Sequence, residues 1–182
     1  MQCFVEEVQV AEQRFSFFLT GVSPEVRFKK IICNSTDPQI YFEKCYLTKV
    51  NKSTTTLTMH QKLLQPIYSA YCNISVIQLS NSLNRVWYKF TNIDACGFFK
   101  KRRNAVLSIL FSTFQEFSNI NHTCPYKDYL IFNDLAIDDR KLAPIPAFPG
   151  DYVLQTDWRL NGKNTAQVIV FIHYTRNGLK YK

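Results

Sequence analysis

The stretch TTTLTMHQKL at residues 54–63, followed after a short break by IYSAYCNISVIQL at residues 67–79, decides the fold. In the first segment, Leu57, Met59 and Leu63 stand on one side of a two-residue repeat, with threonine, histidine and lysine opposite. Alternation with a period of two is typical of a β-strand that buries one face. Residues 54–63 therefore predict a strand with one apolar face.

In the second segment, a sequon indicates which side chains face solvent and which face the core. Asn73 opens an Asn-Ile-Ser glycosylation sequon, and a glycosylated asparagine must face solvent. The period of two then turns Cys72, Ile74 and Val76 inward. Two strands that each offer one apolar face are what a β-sandwich requires.

The same pattern recurs along the chain. Strands rich in β-branched and aromatic residues are predicted at 26–33, 40–50, 54–63, 67–79, 85–95, 129–137, 151–160 and 166–174. Turn-like sequences separate them, including Gln65-Pro66, and the early links are short enough for antiparallel neighbours. Eight strands of this kind predict two packed sheets.

One segment changes period. Over residues 104–119 apolar side chains recur at three- and four-residue spacing, and Asn104 is a suitable N-cap. The prediction is an all-β, immunoglobulin-like two-sheet β-sandwich with one amphipathic helix at about residues 104–119.

The net charge of +8 allows an acidic partner, an anionic membrane surface or nucleic acid. The basic residues include one dense run, Lys100-Lys101-Arg102-Arg103, which we interpret as a solvated turn, and the others are scattered. No Gly-x-Gly-x-x-Gly, Walker or zinc-finger spacing accompanies it. The sequence therefore argues against a nucleic-acid partner and leaves peripheral contact with an anionic membrane as a prediction.

The compartment is indicated by cysteines and sequons. Six cysteines are dispersed without any Cys-x-x-Cys pair, which disfavours zinc and thioredoxin-type sites. Four sequons predict glycosylation at the following positions: Asn34, Asn51, Asn73 and Asn121. Both features are typical of a secreted, extracellular protein.

The domain boundaries follow from these patterns. Residues 1–24 carry three glutamates and an interrupted apolar patch, and we interpret them as an atypical leader or disordered N-terminus. Residues 25–176 form the predicted domain, and 177–182 a C-terminal tail. The sequence contains no uninterrupted run of 18 apolar residues, so it does not predict a membrane-spanning helix.

Catalytic chemistry is not indicated. His60 lies on the polar side of its strand, His122 lies inside a sequon, and His173 is near the end of the last strand. None is accompanied by a nucleophile, a carboxylate pair or a metal-ligand cluster. The sequence predicts a protein that is not an enzyme and has no cofactor and no metal.

A family resemblance rests on several motifs. They are NINHTCPY at 119–126, DACGFF at 94–99, Pro144-Ile145-Pro146, Gly150-Asp151-Tyr152, and the opening segments around Cys33 and FEKCYL at 42–47. Over residues 26–174 the chain resembles a large insect family of secreted proteins of uncharacterised function. That family is related to the MD-2-like lipid-recognition domains, and some of its members are chemosensory.

The resemblance implies an immunoglobulin-like sandwich with a hydrophobic cavity between the sheets. It also implies disulfides Cys33–Cys45 and Cys96–Cys124. Cys72 departs from the family pattern and is predicted to be a free, buried thiol, while Cys3 belongs to the leader.

The resulting hypothesis is a secreted, non-enzymatic protein that binds a lipid or other hydrophobic small molecule between its sheets, in a chemosensory role. Apolar residues predicted to face the interior are the candidates for binding the ligand: Leu57, Met59, Ile74, Val76, Phe90, Leu110, Phe114, Phe117, Leu154 and Trp158. The alternative is an extracellular protein-interaction module with a filled core, whose partner is a receptor protein.

Overall fold

The computed structural model describes residues 23–177 apart from positions 53, 82, 143 and 146. Within these residues the chain forms eight strands: β1 Ser23–Ser35, β2 Ile40–Lys49, β3 Thr55–Ile67, β4 Ala70–Gln78, β5 Arg85–Asp94, β6 Tyr126–Leu135, β7 Gly150–Leu160 and β8 Lys163–Asn177. Three helices accompany them: α1 Ala95–Phe98, α2 Ala105–Phe114 and α3 Asp139–Leu142, with a 3₁₀ turn at Gln115–Phe117.

The strands form two antiparallel sheets. The larger has the order β1-β8-β7-β4-β5 and the smaller β2-β3-β6. The protein is an all-β, immunoglobulin-like two-sheet sandwich with few short helices, as the periodicity predicts.

The core has two clusters that each join both sheets. At one end, Ile40, Ile67, Tyr126 and Leu160 are buried together, and we call this cluster the closed end. The second cluster contains Phe28, Leu57, Met59, Leu135 and Val170.

Gln61 is one of three buried polar residues of β3, the strand that supplies both clusters, and the other two are Thr56 and Thr58. Gln61 is 5% exposed, and its Nε2 has no hydrogen-bond partner among the described residues. A buried amide without a partner costs stability.

Two disulfides join Cys33 to Cys45 and Cys96 to Cys124, the pairing that the resemblance implies. The first links β1 of the larger sheet to β2 of the smaller one. Cys72 is a free, buried cysteine, and desolvation raises the pKa of its thiol to about 12. Cys3 and the predicted leader up to residue 22 lie outside the described residues.

Most strand boundaries differ from the prediction by a few residues, and two of the differences are informative. Gln65-Pro66 is not a turn, because β3 continues through it to Ile67, and its pairing with β6 shifts register between Leu63 and Ile67. Proline is tolerated in a strand at such irregularities. At the N-terminus β1 already begins at Ser23, which pairs with Asn177 of β8.

The helical segment also differs in detail. The predicted helix at 104–119 is α2 followed by the 3₁₀ turn, and Asn104 caps it by accepting a 3.0 Å hydrogen bond from the Leu107 N–H. Four-residue helices such as α1 and α3 are too short for a periodic pattern to predict. Among the described residues no helix is long and apolar enough to cross a membrane.

Candidate functional site

An apolar cavity of about 110 Å³ lies between the inner face of the larger sheet and the helical segment. Its walls come from five strands, two helices and one loop: Val26, Val76, Trp87, Tyr88, Val106, Leu110, Leu142, Ile145, Ala147, Tyr152, Leu154, Ile172 and Tyr174. We call it the α2 cavity. Among the described residues, none from β2, β3 or β6 lines it.

The location of the α2 cavity differs from the expected position between the two sheets. The space between the sheets is filled, because Leu57, Met59 and Leu135 of the smaller sheet pack there against Phe28 and Val170 of the larger sheet. At the far end of the larger sheet, α2 rather than a strand covers the inner face.

The pairing of the strands places the cavity-lining side chains of the larger sheet next to one another. Val76 of β4 pairs with Leu154 of β7 on one side and with Tyr88 of β5 on the other, so the three side chains share the inner face. Tyr174 of β8 pairs with Val26 of β1 on the same face. The wall is therefore assembled by the pairing of five strands.

The helix wall follows from helical spacing. Val106 and Leu110 are four residues apart and both face the α2 cavity. On another side of the helix, Phe111 is 3% exposed and contacts the rings of Phe98, Phe99 and Phe114 at centroid distances of 5.1 to 5.9 Å. This aromatic cluster joins α2 to the segment around α1.

A second contact ties the neighbouring helix to this wall. Lys141 of α3 donates to the Ser112 carbonyl at 3.1 Å and to the Glu116 carboxylate at 3.0 Å. Leu142, the next residue, lines the α2 cavity. Lys141 thus joins α3 to α2 by a hydrogen bond and to the 3₁₀ turn by an ion pair, while Leu142 reaches the cavity.

Two polar groups of the wall residues are hydrogen-bonded within the protein. Trp87 Nε1 donates to Gln78 Oε1 at 3.0 Å, and the Tyr152 hydroxyl donates to the Phe148 carbonyl at 2.7 Å. Burial raises the pKa of Tyr152, which keeps its hydroxyl protonated. Arg85 lies over the Trp87 ring at 4.8 Å. Apolar burial is therefore the main interaction that the walls offer a ligand.

Three of the ten nominated ligand residues, Val76, Leu110 and Leu154, line the α2 cavity. Leu57 and Met59 are buried in the second core cluster, and the side chains of Phe114 and Phe117 pack against it. The remaining nominated residues are also outside the cavity walls. Trp158 packs against the closed end, and Ile74 pairs with Phe90 across β4 and β5.

Sequence reasoning missed most of the cavity walls. Ile172 and Tyr174 belong to a predicted strand, and their two-residue spacing was a usable signal for a shared face. Trp87 and Tyr88 are adjacent yet both reach the cavity, which simple alternation excludes. Ile145 and Ala147 lie in a proline-rich loop, where no periodicity exists to read.

The histidines are dispersed. His60 contacts Asn133 at 2.6 Å, His122 stacks on Tyr126 with a centroid distance of 4.4 Å, and His173 contacts Asp151 at 2.6 Å. Among the described residues no group of three histidine, cysteine, aspartate or glutamate side chains is placed to hold a metal ion.

Comparisons with known proteins give limited information. Residues 72–154 match a family model described as "Protein of unknown function (DUF1091)", a stretch that runs from β4 into β7 and includes α2. No curated protein matches the chain.

Among solved structures, the chain is similar to the crystal structure of a Niemann-Pick type C2 protein from Japanese carpenter ant. The similarity covers 82% of this chain and 92% of that chain, with 13% sequence identity and a TM-score of 0.29. A likeness at that level supports no inference about a ligand.

Proposed function

We propose that this protein is a secreted, non-enzymatic carrier that binds a lipid or other hydrophobic small molecule in the α2 cavity. The observation that carries the proposal is the cavity itself, whose walls are almost entirely aliphatic and aromatic. Ligand sites in proteins are typically concave, apolar and few. Burial of apolar ligand surface, at about 25 cal/mol per Å², is the driving force.

The size of the cavity limits the part of the ligand that it holds. A cavity of about 150 Å³ lined by aliphatic and aromatic side chains accommodates benzene. The α2 cavity, at about 110 Å³, therefore holds a short aliphatic segment or a small ring group. A longer chain requires the half-buried Val106 and Leu110 of α2 to move outward.

The charged surroundings favour an amphiphile with an anionic group. Residues 100–103 immediately precede α2, and all four basic side chains are exposed. The Arg102 guanidinium lies 4.5 Å from the centroid of the Phe111 ring, which holds one positive charge against the helix. Such a run attracts an anionic head group or a membrane surface, at about 1 kcal/mol per basic residue near the surface.

Two disulfides support an oxidising, extracellular setting for this carrier. A chemosensory role, in which the ligand is a cuticular or pheromone-like compound, is the biological setting that we propose.

A second candidate is an extracellular module that binds a receptor protein. The observation in its favour is the exposed apolar rim beside the cavity, where Leu83, Val86 and Phe148 are 79%, 55% and 63% exposed. Exposed apolar patches commonly mark interaction sites.

Native mass spectrometry with lipid extraction separates the two candidates. Protein secreted from insect cells and then deglycosylated is expected to carry a hydrophobic adduct, and the Ala147→Asp variant is expected to lose it because a charge then enters the cavity wall. Leu83→Asp, on the exposed rim, is the matched control and should retain the adduct. A clean apo mass, with no uptake of added fatty acid, contradicts the carrier and favours the receptor-binding module.

A further inference from the structure

The outer face of the larger sheet carries a straight row of planar polar side chains. Asn34 of β1 pairs with Gln167 of β8, Gln167 with Asp157 of β7, and Asp157 with Asn73 of β4. Neighbouring strands are about 4.8 Å apart, so Asn34 and Asn73 are separated by about 14 Å. We call these four residues the asparagine row.

Hydrogen bonds hold the row in place. Asn34 Nδ2 donates to Gln167 Oε1 at 3.3 Å, and Gln167 Nε2 donates to Asp157 Oδ1 at 2.7 Å. At the other end, Asn73 Oδ1 accepts from the Asn92 N–H at 2.8 Å. The groups that point from this face are therefore oriented before any ligand arrives.

A groove of about 500 Å³ runs over the asparagine row. Tyr71 and Arg159 form part of its wall, with the guanidinium 5.1 Å from the ring centroid. Arg159 also donates to Asn92 Oδ1 at 2.7 Å. Amides, a carboxylate and a guanidinium match the hydroxyl and acetamide groups of a sugar, and an aromatic ring offers its face to the apolar side of the sugar.

The occupant is indicated by the sequons. Asn34 and Asn73, at the two ends of the row, each begin an Asn-x-Ser/Thr sequon. We propose that the groove seats the protein's own N-linked glycans, whose first N-acetylglucosamine residues lie along the asparagine row. This inference does not depend on ligand binding in the α2 cavity.

The attachment chemistry is compatible with the contacts of Asn73. Its Oδ1 accepts from the Asn92 N–H, which orients Nδ2, the atom that carries an N-linked glycan. Nδ2 bonds to the anomeric carbon of the sugar, the C–O bond to the diphosphate of a lipid-linked oligosaccharide donor breaks, and the departing diphosphate takes one amide proton. An Asn-x-Ser/Thr sequon is the acceptor for this transfer in a protein that enters the secretory pathway.

The chain provides its own controls. Asn51 and Asn121 also begin sequons, but they are exposed in loops, away from the groove. Glycans at these two positions do not contact the groove, so a peptide:N-glycosidase should release them readily from the folded protein.

The test measures site-specific release from protein secreted by eukaryotic cells. Release at Asn34 and Asn73 under native conditions should be about tenfold slower than at Asn51 and Asn121, because the enzyme must wait for local opening. Denaturation should equalise the four rates. The Tyr71→Ala/Asp157→Ala double variant should accelerate release at Asn34 and Asn73 while leaving Asn51 and Asn121 unchanged.

Thermal unfolding gives a readout that does not need the double variant to fold. A seated glycan stabilises the native state, so Asn73→Gln should lower the Tm by a few degrees while Asn51→Gln leaves it unchanged. The proposal is overturned if Asn34 and Asn73 are unoccupied in the secreted protein. Equal native release at all four sites, or slow release that persists in the folded double variant, would overturn it as well.

Discussion

The two ends of β4 and β7 show how one sheet can serve two purposes. Ala70 pairs with Leu160 at the closed end, where both are buried, and six residues further along β4, Val76 pairs with Leu154 in the wall of the α2 cavity. At about 3.3 Å per residue these pairs are about 20 Å apart. The inner face of the larger sheet is apolar at both places.

The difference lies in what covers the sheet. At the closed end the smaller sheet supplies Ile40 and Ile67, each 1% exposed, so the strands interlock without space between them. At the other end α2 supplies Val106 and Leu110, which remain half-buried. The helix leaves a cavity on this sheet, whereas the smaller sheet leaves none. The packed core and the proposed binding site therefore occupy different ends of the same strands.

The largest expected effect is a contrast between two isoleucines. Ile67→Ala should reduce the free energy of unfolding by about 3–4 kcal/mol, because a fully packed site cannot collapse around the lost volume. Ile172→Ala, in the cavity wall, should cost about half as much, since that site already adjoins empty space. Chemical denaturation of both variants measures the difference, and equal losses would break the comparison.

The free thiol on the inner face gives a pH-dependent effect. Burial raises the pKa of Cys72 from 9.0 to about 12, so folding disfavours the thiolate. Its stabilising contribution is complete below pH 9 and is lost as the pH rises from 9 towards 12. Between pH 9 and pH 10.5 the loss should be about 2 kcal/mol.

Denaturation curves of wild type and Cys72→Ala across this pH range isolate the contribution of the thiol. The variant should lose less stability, although it retains the alkaline titration of Tyr126 and Tyr152, whose pKa values are also raised by burial. Parallel curves for the two proteins would show that Cys72 is not desolvated in the native state.

A smaller effect, of opposite sign, is expected in the filled core. Gln61→Leu should raise the free energy of unfolding by about 1 kcal/mol, because it removes a buried amide with an unpartnered Nε2 and keeps the volume. Guanidinium denaturation with Gln61→Glu as the comparison measures this change. A destabilised Gln61→Leu variant would mean that the amide is satisfied in solution.

The strands were predictable because alternation records which face is buried. The facing of Cys72, Ile74 and Val76 agrees with the register, since Cys72 pairs with Trp158 and Asn73 with Asp157 on the opposite face. The location of the cavity was not predictable. Periodicity shows that Met59 and Val76 both face inward, but only the pairing order reveals that one meets a strand and the other meets a helix.

The part of the cavity wall that comes from α3 and the following loop was even harder to predict. Leu142, Ile145 and Ala147 reach the cavity because α3 is fixed to α2 through Lys141, a contact between residues 29 positions apart in the chain. No local pattern records such a contact. The asparagine row was equally hidden, because its four members come from four strands.

The most direct test of the account is the affinity for a fluorescent fatty acid in wild type, Leu110→Trp and Met59→Leu. The account predicts that wild type binds, that Leu110→Trp loses at least about tenfold in affinity because the indole fills the α2 cavity, and that Met59→Leu in the packed core binds as wild type does. Retained binding in Leu110→Trp together with lost binding in Met59→Leu would place the ligand between the sheets and contradict the account. Absence of binding by the folded wild type would contradict the carrier itself.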